Sequence, residues 1–395
     1  MRQFDIAVVG AGLAGSLAAF ALADSGRSVA LVAPPARGRD GRTTALMDQS
    51  IAFLKTLGLW DEIAGHAAAL ETMQILDGTA RLLRAPPVAF RAGEVGLDAF
   101  GYNIPNAPFL DILDQRIAGH AGIERIAAGV TAATALSDHV ELALDDGERI
   151  AAGLVVGADG RRSKIRESAG IDVRSWTYPQ SALVVNFSHE RPHGHVSTEF
   201  HTESGPFTQV PLPGRRSSLV WVLPPAEAER LGRLSTEALS RAIETRMQSM
   251  LGKVTAEGAA QVFPLSGMTA QRFGKGRIVL VGEAAHAFPP IGAQGLNLSL
   301  RDIMALSALM REDAALDTIG QRFDRRRQAD VRSRTASVDL LNRSLLSGFL
   351  PMQVLRSAGL HLLSALGPLR GIVMREGIEP GGSLRALRDG LRRRA

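Results

Sequence analysis

Phe4-Asp5-Ile6-Ala7-Val8-Val9, followed at once by Gly10-Ala11-Gly12-Leu13-Ala14-Gly15, decides the fold of this chain. An apolar run of strand length enters a glycine-rich turn. An Ala/Leu-rich helix then runs to about Ser25 and is stopped by Gly26, and Ser28 to Val32 reads as a second buried strand. A GxGxxG placed between a strand and a helix in a βαβ unit of about 30 residues is a dinucleotide signature. Gly10 allows the tight turn, Gly12 lets backbone approach a pyrophosphate, and Gly15 lets the helix pack closely on the strand. The amides and positive end of the new helix suit phosphate oxygens. One expected element is missing. The second strand ends Leu31-Val32-Ala33-Pro34-Pro35, and Ala33 cannot accept the ribose hydrogen bonds that an acidic residue there would take.

The rest of the composition narrows the class. At about 150 residues per domain, 395 residues predict two or three units. A chain that is 45% hydrophobic and 22% charged is globular rather than disordered. With no cysteine there is no disulfide framework, thiolate metal site or cysteine nucleophile. No apolar run reaches the length of about 18 residues that a membrane-spanning helix needs. The first residues enter a strand without a signal-peptide pattern, so a cytoplasmic protein is expected. Net charge is +5, and its distribution is uneven: residues 301–395 hold 17 basic and 10 acidic side chains. Such a basic region suits an anionic lipid surface. No basic–aromatic platform accompanies it, so nucleic acid is not an expected partner.

Further along, residues 43–65 mix apolar and polar positions at helical spacing, and 72–100 read as weak strands. A helix follows Pro108, a strand lies near 122–130, and Asp145-Asp146-Gly147 marks a hairpin. Leu154 to Gly160 returns to a buried strand and turn. Residues 175–265 read as an antiparallel sheet. A strand at 277–281 leads into Gly282-Glu283-Ala284-Ala285-His286, and helices follow to about Arg375.

Three separated segments then converge: Gly10–Gly15, Gly157-Ala158-Asp159-Gly160-Arg161-Arg162-Ser163-Lys164-Ile165-Arg166, and Gly282 to Asp302. Together they resemble the single-component FAD-dependent aromatic hydroxylases (class A flavoprotein monooxygenases), most nearly those of ubiquinone biosynthesis of the UbiH/UbiF type. Arg42-Thr43-Thr44-Ala45-Leu46 and Gly367-Pro368-Leu369-Arg370 point the same way. The resemblance implies an α/β fold: a Rossmann-like FAD/NAD(P)-binding domain of the p-hydroxybenzoate-hydroxylase-like GR2 type, an inserted antiparallel β-sheet substrate domain, and C-terminal helices. It divides the chain into an FAD domain (1–71, 101–174 and 266–335), a substrate domain (72–100 and 175–265), and a C-terminal, membrane-facing region (336–395).

Carried over by position, the resemblance assigns the pyrophosphate to Gly10, Gly12, Leu13, Ala14 and Gly15. Arg42 would reach an FAD phosphate or ribose, a role suited to a permanently charged planar fork. Asn106 stands where an Arg or Gln usually touches the cofactor, and Val130 where a strand backbone meets adenine. Asp159 would serve both FAD and the pyridine nucleotide. Glu283 replaces the usual aspartate at the ribityl contact, one methylene longer. Pro289, Pro290, Gly292, Gly295, Leu296 and Asn297 would line the isoalloxazine ring. His286 is a weak candidate base, as Pro290 is a weak catalytic candidate, and Phe207, Pro211, Leu212 and Pro289 are candidate pocket walls. His189, His193, His195 and His201 span too many strand positions for a metal, and none is expected.

The implied reaction is hydroxylation of a polyprenylated phenol with NADPH or NADH and O2 through a flavin C4a-hydroperoxide. A ubiquinone-biosynthesis complex and the inner face of the cytoplasmic membrane are the expected surroundings. Leu345, Leu346, Phe349, Leu350, Val354 and Leu355, flanked by Arg343 and Arg356, supply an interfacial pattern. The alternatives are a hydroxylase of a small soluble aromatic acid and a catalytically silent accessory subunit.

Overall fold

The computed structural model describes residues 1–35, 41–79, 86–289, 294–312 and 315–346. A parallel sheet forms the centre of the first domain, with strands ordered Ile278–Leu280, Arg149–Gly157, Arg2–Val9, Val29–Val32 and Ile123–Ile126. Strand Arg2–Val9 reads as an unbroken apolar run at its end because Ile6, Ala7, Val8 and Val9 are covered on both faces. Helices Leu13–Ala23 and Gln294–Arg311 pack together over it. The register matters for function. Val9 pairs with both Val32 and Gly157, and Gly157 pairs with Leu280. The chain therefore leaves three neighbouring strands at one level, at their carboxyl ends, where open α/β sheets bind ligands.

A second, eight-stranded sheet contains Val173–His189, Val196–His201, Pro206–Leu212, Arg216–Leu223 and Val254–Ala270, and also takes Thr72–Asp77, Val88–Arg91 and the short strand His286–Ala287. One face of it is sealed by two helices, Pro225–Gly232 and Thr236–Arg246, through Leu183, Phe187, Phe207, Trp221, Leu231 and Ile243. These helices correct the reading of 175–265 as sheet throughout. Pro at the first helical position of one and the Ser235 cap of the other, whose hydroxyl accepts the Ala238 N–H, set their starts.

Residues 43–65 also differ from expectation. Thr43–Met47 is a strand, paired with Gly101–Pro105, and helix follows only in Asp48–Thr56 and Trp60–Ala64. Two β-branched threonines with little helix preference, and a partner strand far away in sequence, explain the difference. The hairpin at Asp145–Gly147 is present, with Gly147 at φ 87° joining Val140–Leu144 to Arg149–Gly157. The last described helix, Ile319–Leu346, reaches into the proposed C-terminal region, and residues 347–395 lie outside the described residues.

Candidate cofactor and substrate cleft

Gly10 follows the first strand at φ 108°, and a side chain there would strike the carbonyl oxygen of Ala158. A side chain at Gly15 would strike the carbonyl of Gly10. Both glycines are thus required by the protein's own packing. Gly12 is different: a Cβ at this position would meet nothing within 4 Å. It caps the helix Leu13–Ala23 without any side-chain hydrogen bond, and no acidic residue occupies the first turn. The helix start faces open space with its backbone donors uncovered by side chains, a cradle suited to an anion.

The next strand delivers Asp159 beside it. One carboxylate oxygen, Oδ2, accepts the backbone N–H groups of Lys164 (2.7 Å) and Ile165 (3.2 Å). The other, Oδ1, is buried and has no partner. A buried acceptor left open beside a helix start is costly unless a ligand hydroxyl or bound water meets it. Behind it, the Arg166 guanidinium donates to the carbonyls of Ala284 (2.9 Å) and Arg161 (2.8 Å). Burial pushes its pKa below the usual arginine value, partly opposed by Asp159 and Glu167. Arg166 so bolts the Asp159 loop to the Gly282–Ala284 turn, a role absent from the expectations above although its residue closes the quoted motif.

The third strand supplies that turn. Gly282 sits at φ 61° against Ala14 and Ser299, which brings the first and third motifs into contact. Its N–H donates to Asp302, whose carboxylate also bonds His286 Nε2 (2.7 Å) and accepts from Arg327 Nε (2.7 Å). Burial works against the Arg327 charge, but Asp302 and Asp330 overcome it and hold the pKa above its ordinary value. His286 is 2% exposed, stacked on Phe288, and engaged in this network. Its surroundings are those of a structural residue. Glu283 points elsewhere, to Arg161 at 3.8 Å.

On the far wall, Asn297 is a staple. Its Oδ1 accepts from Met47 N–H (2.9 Å) and Ser50 Oγ (2.7 Å), and its Nδ2 donates to the Ala45 carbonyl (2.8 Å). Gly295, two residues earlier, has open space where a Cβ would stand, and Leu296 packs partly on the core. Asn106 is buried, takes the Thr44 hydroxyl (2.7 Å) on its side chain, and gives its N–H to the Arg42 carbonyl (2.9 Å). Arg42 itself is exposed at the entrance to that strand. Val130 opens the strand Val130–Ala135 beside a bulge opposite Leu144, and the Ala33 N–H donates to Ile126. Pro289 is buried; Pro290 and Gly292 lie outside the described residues.

The structure separates the candidate pocket walls, and Phe207 does not face the cleft. Phe207 is fully buried, edge-on to Phe200 and Trp221, in the core beneath the two helices. Strand alternation puts Pro211 on that same side, where its carbonyl accepts from Asn103 Nδ2. Leu212 lies on the opposite side, the one Val220 and Val222 share by register; it is buried, and its carbonyl is bonded to His193 Nε2. The sheet face that looks toward the first domain is marked by Asn186, whose Nδ2 donates to the Gly41 carbonyl at 3.0 Å. Ala182, Val184, Val220, Val222 and Phe263 share it by register, and Tyr178 and Leu265 pack with them. Only period-two alternation within 178–184 and 218–222 could have marked these residues beforehand.

A protein-family model described as FAD binding domain matches residues 3–328. The chain is 33% identical to the ubiquinone hydroxylase UbiL of Rhodospirillum rubrum, over 94% of this chain and 88% of that one. It is 32% identical to the 3-demethoxyubiquinol 3-hydroxylase of Escherichia coli, over 93% and 96%. Among solved structures, Klebsiella pneumoniae HpxO complexed with FAD and uric acid shares the fold at TM-score 0.78 and 18% identity, covering 96% of this chain and 97% of that one. The open cradle at Gly12, the unpartnered Asp159 oxygen and these likenesses agree: the chain belongs to the FAD-binding domain family, and FAD is its cofactor.

Proposed function

We propose that the chain hydroxylates the aromatic ring of a polyprenylated phenol in ubiquinone biosynthesis, with O2 and NADPH or NADH as co-substrates. FAD, when bound, takes electrons from the nicotinamide and activates oxygen. Leu13, Ala14 and Gly15 amides hold its pyrophosphate, Asp159 Oδ1 takes a cofactor hydroxyl or bridging water, and Gly295 allows close approach of the ring system.

The observation that carries the substrate reading is the sheet face above the cleft. Its centre is Tyr178, Ala182, Val184, Val220 and Val222, and Phe263 beside them keeps 40% of its surface exposed. Among the described residues, the charged groups of this face are already paired. Arg216 is held bidentately by Glu257, and Glu199 by His201. Among the described residues no cation stands at its centre for a substrate carboxylate, and a carboxylate buried without one is costly. A neutral, greasy phenol fits; a small aromatic acid does not. The apolar wall also keeps water from the reacting ring. The names of the two relatives point to the same chemistry. With FAD and NADPH or NADH supplied, the protein should convert a short-chain prenylated phenol to a product one oxygen atom heavier, detected by mass spectrometry. Turnover of hydroxybenzoate at an equal or higher kcat/KM would sink the reading.

A further inference from the structure

Arg161 stands where three parts of the chain meet. Its carbonyl is held from inside by Arg166 (2.8 Å), while its own guanidinium turns outward. NH1 donates to the Ser266 hydroxyl at 2.7 Å, on the long strand Val254–Ala270 of the substrate sheet. Nε faces the Glu283 carboxylate at 3.8 Å, on the turn that follows the strand Ile278–Leu280 of the parallel sheet. Both ion-pair side chains are about half exposed.

We propose that Glu283, Arg161 and Ser266 form a latch that ties the cofactor turn to the substrate sheet across the mouth of the cleft. Glu283 acts there as the anchor of Arg161 instead of as a ligand of the cofactor's sugar chain. Resting on the FAD reading above, the inference says how one carboxylate of that site is used. Side-chain length decides it. The glutamate reaches Arg161 only at the outer limit of an ion pair, so an aspartate, one methylene shorter, falls short. Arg166 and Arg161 of the loop then have separate work. Buried Arg166 fixes the backbone, and exposed Arg161 sets the spacing of the two domains, so both are positioning residues.

Titration of the full-length cofactor-free protein with FAD, followed by quenching of flavin fluorescence, provides the test. Glu283→Gln and Arg161→Gln should each weaken FAD about two- to fivefold at low salt, the range of an exposed ion pair. The double variant should be no worse than either single one. Glu283→Asp should behave like Glu283→Gln. At 1 M salt, where the screening length is about 3 Å, all four should converge on the wild type. An effect of Glu283→Gln that persists in the Arg161→Gln background overturns the latch, as does tighter binding by Glu283→Asp, because either makes the carboxylate a direct ligand. Single variants indistinguishable from wild type overturn it too. Thermal midpoints of the same cofactor-free proteins should show the same pairwise coupling, and additive midpoints would again overturn the latch. A wild-type chain that binds no FAD sinks the cofactor reading instead, leaving the latch to be judged on those midpoints.

Discussion

Glycines that look alike in sequence do different jobs here. Gly10 is locked by a left-handed backbone and by the Ala158 carbonyl, whereas Gly12 has an ordinary extended backbone (φ −76°, ψ 179°) and empty space where a methyl group would go. Gly10→Ala should therefore damage the fold itself, by about 2 kcal/mol or more, since it combines backbone strain with a collision against main chain. Gly12→Ala should lower the unfolding free energy of the cofactor-free protein by only about 1 kcal/mol, the cost of a poorer N-cap, because the added methyl group strikes nothing. The same variant should lose most of its FAD affinity, its methyl group standing where the pyrophosphate must approach. Urea unfolding and FAD titration of both variants separate the two roles. Equal stability loss in both would refute the distinction.

At the scale of elements, the cleft depends on how the Gly282–His286 segment is held to helices Gln294–Arg311 and Ile319–Leu346. Asp302 does this by serving Gly282 N–H, His286 and Arg327 together, at 1% exposure. Removing one partner from a buried charge network typically costs about 3–5 kcal/mol, because the remaining charge is stranded. Asp302→Asn should lower the unfolding free energy by that order in denaturant titration. Combining it with Arg327→Met should recover part of the loss, since the uncompensated cation is gone. A single variant with wild-type stability would mean the network holds nothing.

Much of this scale was legible in the sequence. The GxGxxG turn, the Asp159 loop and the Gly282 turn each follow an apolar run of strand length, and their order along the chain placed them at one sheet edge. Less legible were the interactions made at long range. Thr43–Met47 reads as helix until Gly101–Pro105 pairs with it, and no local pattern announces that the Asn297 side chain staples that strand. Phe207 shows the limit most plainly. An aromatic residue in a strand gives no sign of which face it will occupy, and here the two helices claim it for the core.

For the whole molecule, the uneven charge and the apolar sheet face together pose the problem of reaching a water-insoluble substrate. No described helix is long and apolar enough to cross a membrane. Residues 347–395, outside the described part, hold eight arginines against three acidic side chains. We propose that this terminal region brings the cleft to anionic lipid, where each cation near the surface contributes about 1 kcal/mol. The full chain should then co-sediment with vesicles containing a third phosphatidylglycerol and much less with neutral ones. Raising salt from 0.1 to 1 M, which shortens the screening length from about 10 to 3 Å, should release most of it. Removing everything beyond Leu346 should abolish vesicle binding while leaving flavin absorbance intact, because the FAD contacts argued above all precede that residue. Activity toward a short-chain soluble phenol should persist in the shortened protein while activity toward a long-chain substrate in vesicles falls. Undiminished sedimentation of the shortened chain would place the membrane contact elsewhere on the molecule.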